Sequence, residues 1–129
     1  MTEMNMIQAL NSALDERMNA DEDIVVFGED VGFFGGVFRV TDGLQKKHGA
    51  HRIFDAPLAE GGFAAMAFGM GINGLRPVME IQFADYIWTA MMQIRNEVAT
   101  IRYRSNNSYS CPIVIRTPVG GYIHGGLCH

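Results

Sequence analysis

Apolar residues recur along this chain in two rhythms. Met6, Ile7, Leu10, Leu14 and Met18 follow helical spacing, with Asn11, Asp15, Glu16 and Arg17 between them, so the spacing predicts an amphipathic helix over residues 4–20. Ile24-Val25-Val26-Phe27 is instead an unbroken apolar run closed by Gly28, which suits a strand covered on both faces. Thr41 is a fair N-cap for a short helix, DGLQKKH, that Gly49 stops, and residues 52–55 read as a second strand. After Pro57, residues 60–73 are rich in Ala, Met, Phe and Gly nearly all round, which predicts a helix buried on several sides. Residues 77–81 form a third strand. Residues 86–104 should be the longest helix, with a stripe of Ile87, Met91, Ile94, Val98 and Ile101, and residues 113–115 a fourth strand.

Strand and helix thus alternate four times, with connections long enough for crossovers. The pattern predicts an α/β fold, a parallel sheet flanked by helices on both faces. The chain then enters RTPVGGYIHGGLCH with no helix to cover the last strand, so the expectation is an N-terminal piece of a longer, truncated domain.

Composition narrows the function. With 129 residues and 48% apolar content the chain can bury one core. A net charge of −4 leaves no basic stripe to neutralise phosphates, which sets nucleic-acid binding aside. No uncharged apolar run is long enough to span a bilayer, and no targeting segment is seen. Cys111 and Cys128 are too few for a disulfide framework, which fits a reducing compartment.

The candidate chemistry centres on Glu60, in DAPLAEGGF, where a strand hands over to a helix. Among Leu58, Phe63, Met66 and Phe68 its carboxyl would be desolvated and pushed up, while the helix N-terminus would pull it down; the alternative is an ordinary first-turn acid in water. Gly69-Met-Gly71-Ile-Asn-Gly74 matches a dinucleotide fingerprint, but it closes a helical pattern instead of opening one, so tight helix packing is the competing reading. The four histidines, His48, His51, His124 and His129, lack metal-site spacing even with Cys128. His124 or His129 could serve as an acid–base group in its glycine-flanked loop, or be an ordinary loop residue.

Several segments together point to a family. IQALNSALDERM, VVFGEDVGFFGGVFRVTDGL, DAPLAEGGF, GLRPVMEIQFADYI, IRYRS and GGYIHGGLCH follow one another as in the beta chain of the thiamine-diphosphate-dependent decarboxylating component of 2-oxo acid dehydrogenase complexes, which this chain resembles over nearly its whole length. EIQFADYI and IRYRS are most similar to the branched-chain, 2-oxoisovalerate type. The resemblance implies that residues 1–129 are the N-terminal part of a pyrimidine-binding α/β domain, with the C-terminal domain absent. It implies thiamine diphosphate bound between unlike subunits, its magnesium held mainly by the alpha chain. Glu60 would bond a ring nitrogen of the aminopyrimidine, and Leu58, Gln82 and Tyr86 would line or stack on that ring. His129 would lie near the substrate and assist acyl transfer to a lipoyl arm, and Glu29 would belong to an acidic path between two active sites. The partners implied are an alpha chain, a second beta chain, a lipoyl-bearing acyltransferase core and a small 2-oxo acid. The compartment would be the bacterial cytoplasm or the mitochondrial matrix. Thr89 and Met92 depart from the family, which usually has proline and aspartate there. The competing readings are a pyruvate or acetoin type and, from another class, a non-catalytic nucleotide-binding or structural α/β module.

Overall fold

The computed structural model describes residues 3–120, 124 and 125. Helix α1, Met6–Ala20, begins behind Asn5, whose side chain accepts the Gln8 N–H while the Gln8 side chain accepts the Asn5 N–H. This reciprocal cap satisfies donors that a helix start otherwise leaves open. The chain continues through β1 (Ile24–Gly28), α2 (Leu44–His48), β2 (Ile53–Asp55), α3 (Glu60–Ile72), β3 (Arg76–Glu80), α4 (Ile87–Gln93), α5 (Ile101–Arg104) and β4 (Val114–Arg116).

All strand pairs are parallel, in the order β2-β1-β3-β4. Register explains why β1 could be apolar throughout. Val26 stands beside Ile53 and Val78, and Phe27 beside Phe54 and Met79. Successive side chains point to opposite faces, so Val26, Ile53 and Val78 pack with Met18 of α1 and Leu44 of α2. Phe27 and Met79 pack on the other face with Phe63, Ala64 and Ala67 of α3 and Ala90 of α4. Helices on both faces were expected, and this is why.

Helix α3 buries one face, made of Phe63, Ala64, Ala67 and Gly71, while Gly62 and Met66 are exposed and the rest half-buried, so the burial on several sides expected from its composition is not found. The G-x-G-x-x-G stretch lies at its end and serves packing: a Cβ on Gly71 would stand 2.7 Å from Cys111 Sγ. Two further local expectations fail. Thr41 does not cap α2, because its buried hydroxyl donates to the Val31 carbonyl at 2.7 Å and Gly43 takes the cap position in a left-handed conformation. The long helix is broken as well. A 3₁₀ turn over Ala84–Tyr86 leads into α4, a π turn follows over Ile94–Val98, and α5 begins only after residues 99 and 100. The Ala99 N–H reaches back to the Ile94 carbonyl at 3.0 Å, which takes up an extra residue and re-phases the apolar stripe.

Candidate active site

The strand order reverses direction between β1 and β3, and open α/β sheets place ligands at the carboxyl ends of the strands flanking such a reversal. Here the chain leaving β1 supplies Glu29 and Asp30, and the chain leaving β3 supplies Gln82, Phe83 and Tyr86. The chain leaving β2 passes Leu58 and enters α3 at Glu60. Five residues singled out in the sequence therefore gather at one edge of the sheet.

Glu60 is half-buried, and its Oε2 accepts a hydrogen bond from the Thr89 hydroxyl at 3.2 Å. The same hydroxyl lies 2.7 Å from the carbonyl of Tyr86. Glu60 and the start of α4 thus meet across Thr89. The predicted enclosure of Glu60 is not found: Leu58 is 81% exposed, Met66 is exposed, and Phe63 turns into the core. Leu58 offers an open apolar surface beside the acid rather than a wall.

In the loop after β1, Glu29 is deeply buried, only 4% exposed and with no hydrogen-bond partner on either oxygen among the described residues. Burial pushes its carboxyl above the usual glutamate range, and the nearby charges of Glu60 and Asp30 push it further. The Gln82 side-chain amide donates to Asp30 Oδ2 at 3.3 Å, joining the loop after β1 to the loop after β3. Aromatic edges reinforce that joint. Phe83 meets Phe38 edge-on at 6.0 Å and Tyr86 at 5.7 Å between ring centres. The Gly32 N–H donates to Asp55 Oδ1 at 2.6 Å, tying the same loop to β2.

His129 lies outside the described residues. His124 is exposed in a left-handed conformation (φ 50°) and His51 is exposed. His48 lies at the other face of the sheet, where its ring nitrogen is 2.7 Å from Asp15 Oδ1 and joins α2 to α1. Lys47 Nζ, 2.6 Å from Asp15 Oδ2, and that histidine hold the Asp15 carboxyl below its usual range. A cavity of about 710 Å³ opens between Leu10 of α1, Phe38, Phe83 of the loop after β3, and Thr117 and Pro118 after β4. It holds neither Glu29 nor Glu60, so the acids are grouped by the sheet's edge and not by a deep cavity.

Two contributions escape a reading of the sequence. Thr89 stands out there only as a departure from a resemblance, not as the partner of Glu60. Glu80, buried, and Arg116, half-buried, form an ion pair beneath the loop, with Gly36 in ordinary contact with the Glu80 carboxyl. A lone acid in the apolar run of β3 was the available signal for that pair.

Compared with known proteins, residues 2–127 match the family model described as transketolase, pyrimidine binding domain. The chain belongs to the transketolase pyrimidine-binding domain family. It is 56% identical over 128 residues to the 2-oxoisovalerate dehydrogenase subunit beta of Pseudomonas aeruginosa, covering 99% of this chain and 37% of that protein. It is 50% identical over its whole length to the pyruvate dehydrogenase E1 component subunit beta of Bacillus subtilis, of which it covers 40%. The 2-oxoisovalerate dehydrogenase subunit beta of the same organism is also 50% identical, with 39% covered. The chain spans about two fifths of the length of the curated relatives it matches. Membership of the pyrimidine-binding family agrees with the parallel sheet flanked by helices.

Proposed function

We propose that this chain is the pyrimidine-binding part of the beta subunit of a 2-oxo acid dehydrogenase. In that role it takes the aminopyrimidine of thiamine diphosphate at Glu60 and supports oxidative decarboxylation of a branched-chain 2-oxo acid, with acyl transfer to a lipoyl group. The observation that carries the reading is the Thr89 hydroxyl that links the Glu60 carboxyl to the backbone carbonyl of Tyr86, beside the sheet's reversal, in a member of this family. A half-buried carboxyl next to a hydroxyl can share one proton with a ring nitrogen, and exposed Leu58 offers an apolar face for the ring. The donor set fits the group.

When bound, thiamine diphosphate supplies the electron sink for loss of carbon dioxide. Glu60 would hold the proton between its own oxygen and the ring nitrogen, favouring the imino form of the ring. Leu58 and Tyr86 would orient the ring, and Gln82, steadied by Asp30, would border it. Glu29, without a fixed donor on either oxygen among the described residues, can take up and release a proton and would belong to an acidic path between two such sites. His129 would stand near the substrate. The partners would be an alpha chain holding the diphosphate and magnesium, a second beta chain and a lipoyl-bearing acyltransferase core. The 56% identity to a protein named for 2-oxoisovalerate supports the branched substrate, while the two Bacillus subtilis relatives, one named for each substrate, tie at 50%.

The test is the full chain co-produced with its alpha partner, assayed on 2-oxoisovalerate and on pyruvate. Glu60→Gln should lower thiamine-dependent decarboxylation by at least about a hundredfold, the scale on which a positioned proton donor acts. Near-normal turnover by that variant would refute the role given to Glu60, and a preference for pyruvate would refute the branched-chain assignment.

A further inference from the structure

We propose that Thr89 is a positioning residue for Glu60, its hydroxyl placed to keep the carboxyl in one orientation whether that acid is ionised or protonated. The backbone arranges the pair. A Cβ on Gly61 would stand 3.0 Å from the Thr89 carbonyl oxygen, so α3 and α4 come closest beside Glu60. Thr89 is β-branched, and in a helix its Oγ1 settles where it can bond the carbonyl a turn earlier. Here that carbonyl belongs to Tyr86, at 2.7 Å, and the resulting rotamer puts Oγ1 3.2 Å from Glu60 Oε2.

A hydroxyl carries one proton and two lone pairs. With Glu60 ionised, Thr89 turns its proton to the carboxylate. With Glu60 protonated, the acid donates to Oγ1 and Thr89 donates to the Tyr86 carbonyl. Only an O–H rotates between the two states; no heavy atom moves. Glu29, after β1, is the acid whose charge and that of Glu60 act on one another, and no ion pair to Glu60 occurs among the described residues. The hydroxyl is therefore its switchable neighbour. Its catalytic use rests on the cofactor reading above; its geometry does not.

The experiment compares Thr89→Val, which keeps the shape and loses the hydroxyl, with Thr89→Ser, which keeps the hydroxyl, in the full chain assembled with its alpha partner. The Glu60 carboxyl is followed by infrared difference spectroscopy without cofactor, its band assigned by subtracting Glu60→Gln, and thiamine diphosphate affinity is measured by calorimetry. The ionised form loses the stronger, charge-assisted bond in Thr89→Val. The carboxylate band of Glu60 should shift in Thr89→Val and the cofactor Kd rise by about three- to tenfold, the scale of one partly exposed hydrogen bond. Thr89→Ser should match wild type in both. An unmoved band in Thr89→Val, or equal changes in both variants, overturns the proposal. If Glu60→Gln remains active while Thr89→Val still moves the band, the cofactor reading falls and the positioning role stands.

Discussion

Glu29 carries a formal charge into a place where no donor of the described chain meets either oxygen. Its carboxyl is raised first by burial, then by Glu60 and Asp30, so the native state binds its proton more tightly than the unfolded chain does. Linkage fixes the sign: that contribution to stability is full below the ordinary glutamate value of about 4.3 and is lost as pH rises through the raised one. Glu29→Gln should therefore flatten the decline of the urea midpoint above about pH 4.3 and stabilise the protein near neutrality. An unchanged pH profile of unfolding would show that Glu29 is not the strained acid. Asp15 acts oppositely. Lys47 and His48 lower its carboxyl, so its contribution is present above the ordinary aspartate range and lost as pH falls through the lowered value.

At the scale of elements, the site depends on how closely α3 and α4 approach. Glycine at position 61 permits this, and Gly61→Ala puts a methyl 3.0 Å from the Thr89 carbonyl, a backbone atom that cannot swing aside. Overpacking of this kind costs about 1 to 3 kcal/mol. The variant should melt at a lower temperature, and its thiamine diphosphate affinity should fall with it, because Glu60 is the neighbour of the displaced turn. A melt and a calorimetric titration within error of wild type would place the helices further apart than described here. The π turn matters at the same scale. By taking up an extra residue before α5, it lets the Arg104 guanidinium meet Glu97 and lie 2.9 Å from Thr100 Oγ1, so the end of the helical region is closed by its own side chains.

Across the whole molecule, the sheet is joined near its carboxyl edge by the cross-strand pair of Glu80 in β3 and Arg116 in β4. Glu80 is 1% exposed, and burial raises its carboxyl even though the guanidinium pulls it down. Arg116→Met would leave that acid buried and alone, at a cost of about 3 to 5 kcal/mol. Denaturant unfolding should show a loss of that size near neutral pH, shrinking in acid as Glu80 takes a proton. Restoring much of the loss by adding Glu80→Gln would confirm that the charge, not the shape, is responsible.

The order and type of the elements were legible in the amino-acid sequence because helix and strand periods depend on the spacing of side chains along one backbone. Met6 to Met18 and the run Ile24 to Phe27 each declare a local geometry. Glu60 and Tyr86 could be singled out as segments similar to a family's, and both lie at the predicted edge. The partners of those residues were not legible. Thr89 meets Glu60 across 29 positions and Arg116 meets Glu80 across 36, distances over which no local period carries information. Which acids are buried also changed: Glu29 and Glu80 are buried and Glu60 is half-buried, because burial depends on packing between distant segments. Thr41 shows the same rule at close range: its hydroxyl suits a helix cap, but a buried carbonyl ten residues away claims it. Local chemistry set what each segment could become, and packing among distant segments chose which polar atoms meet.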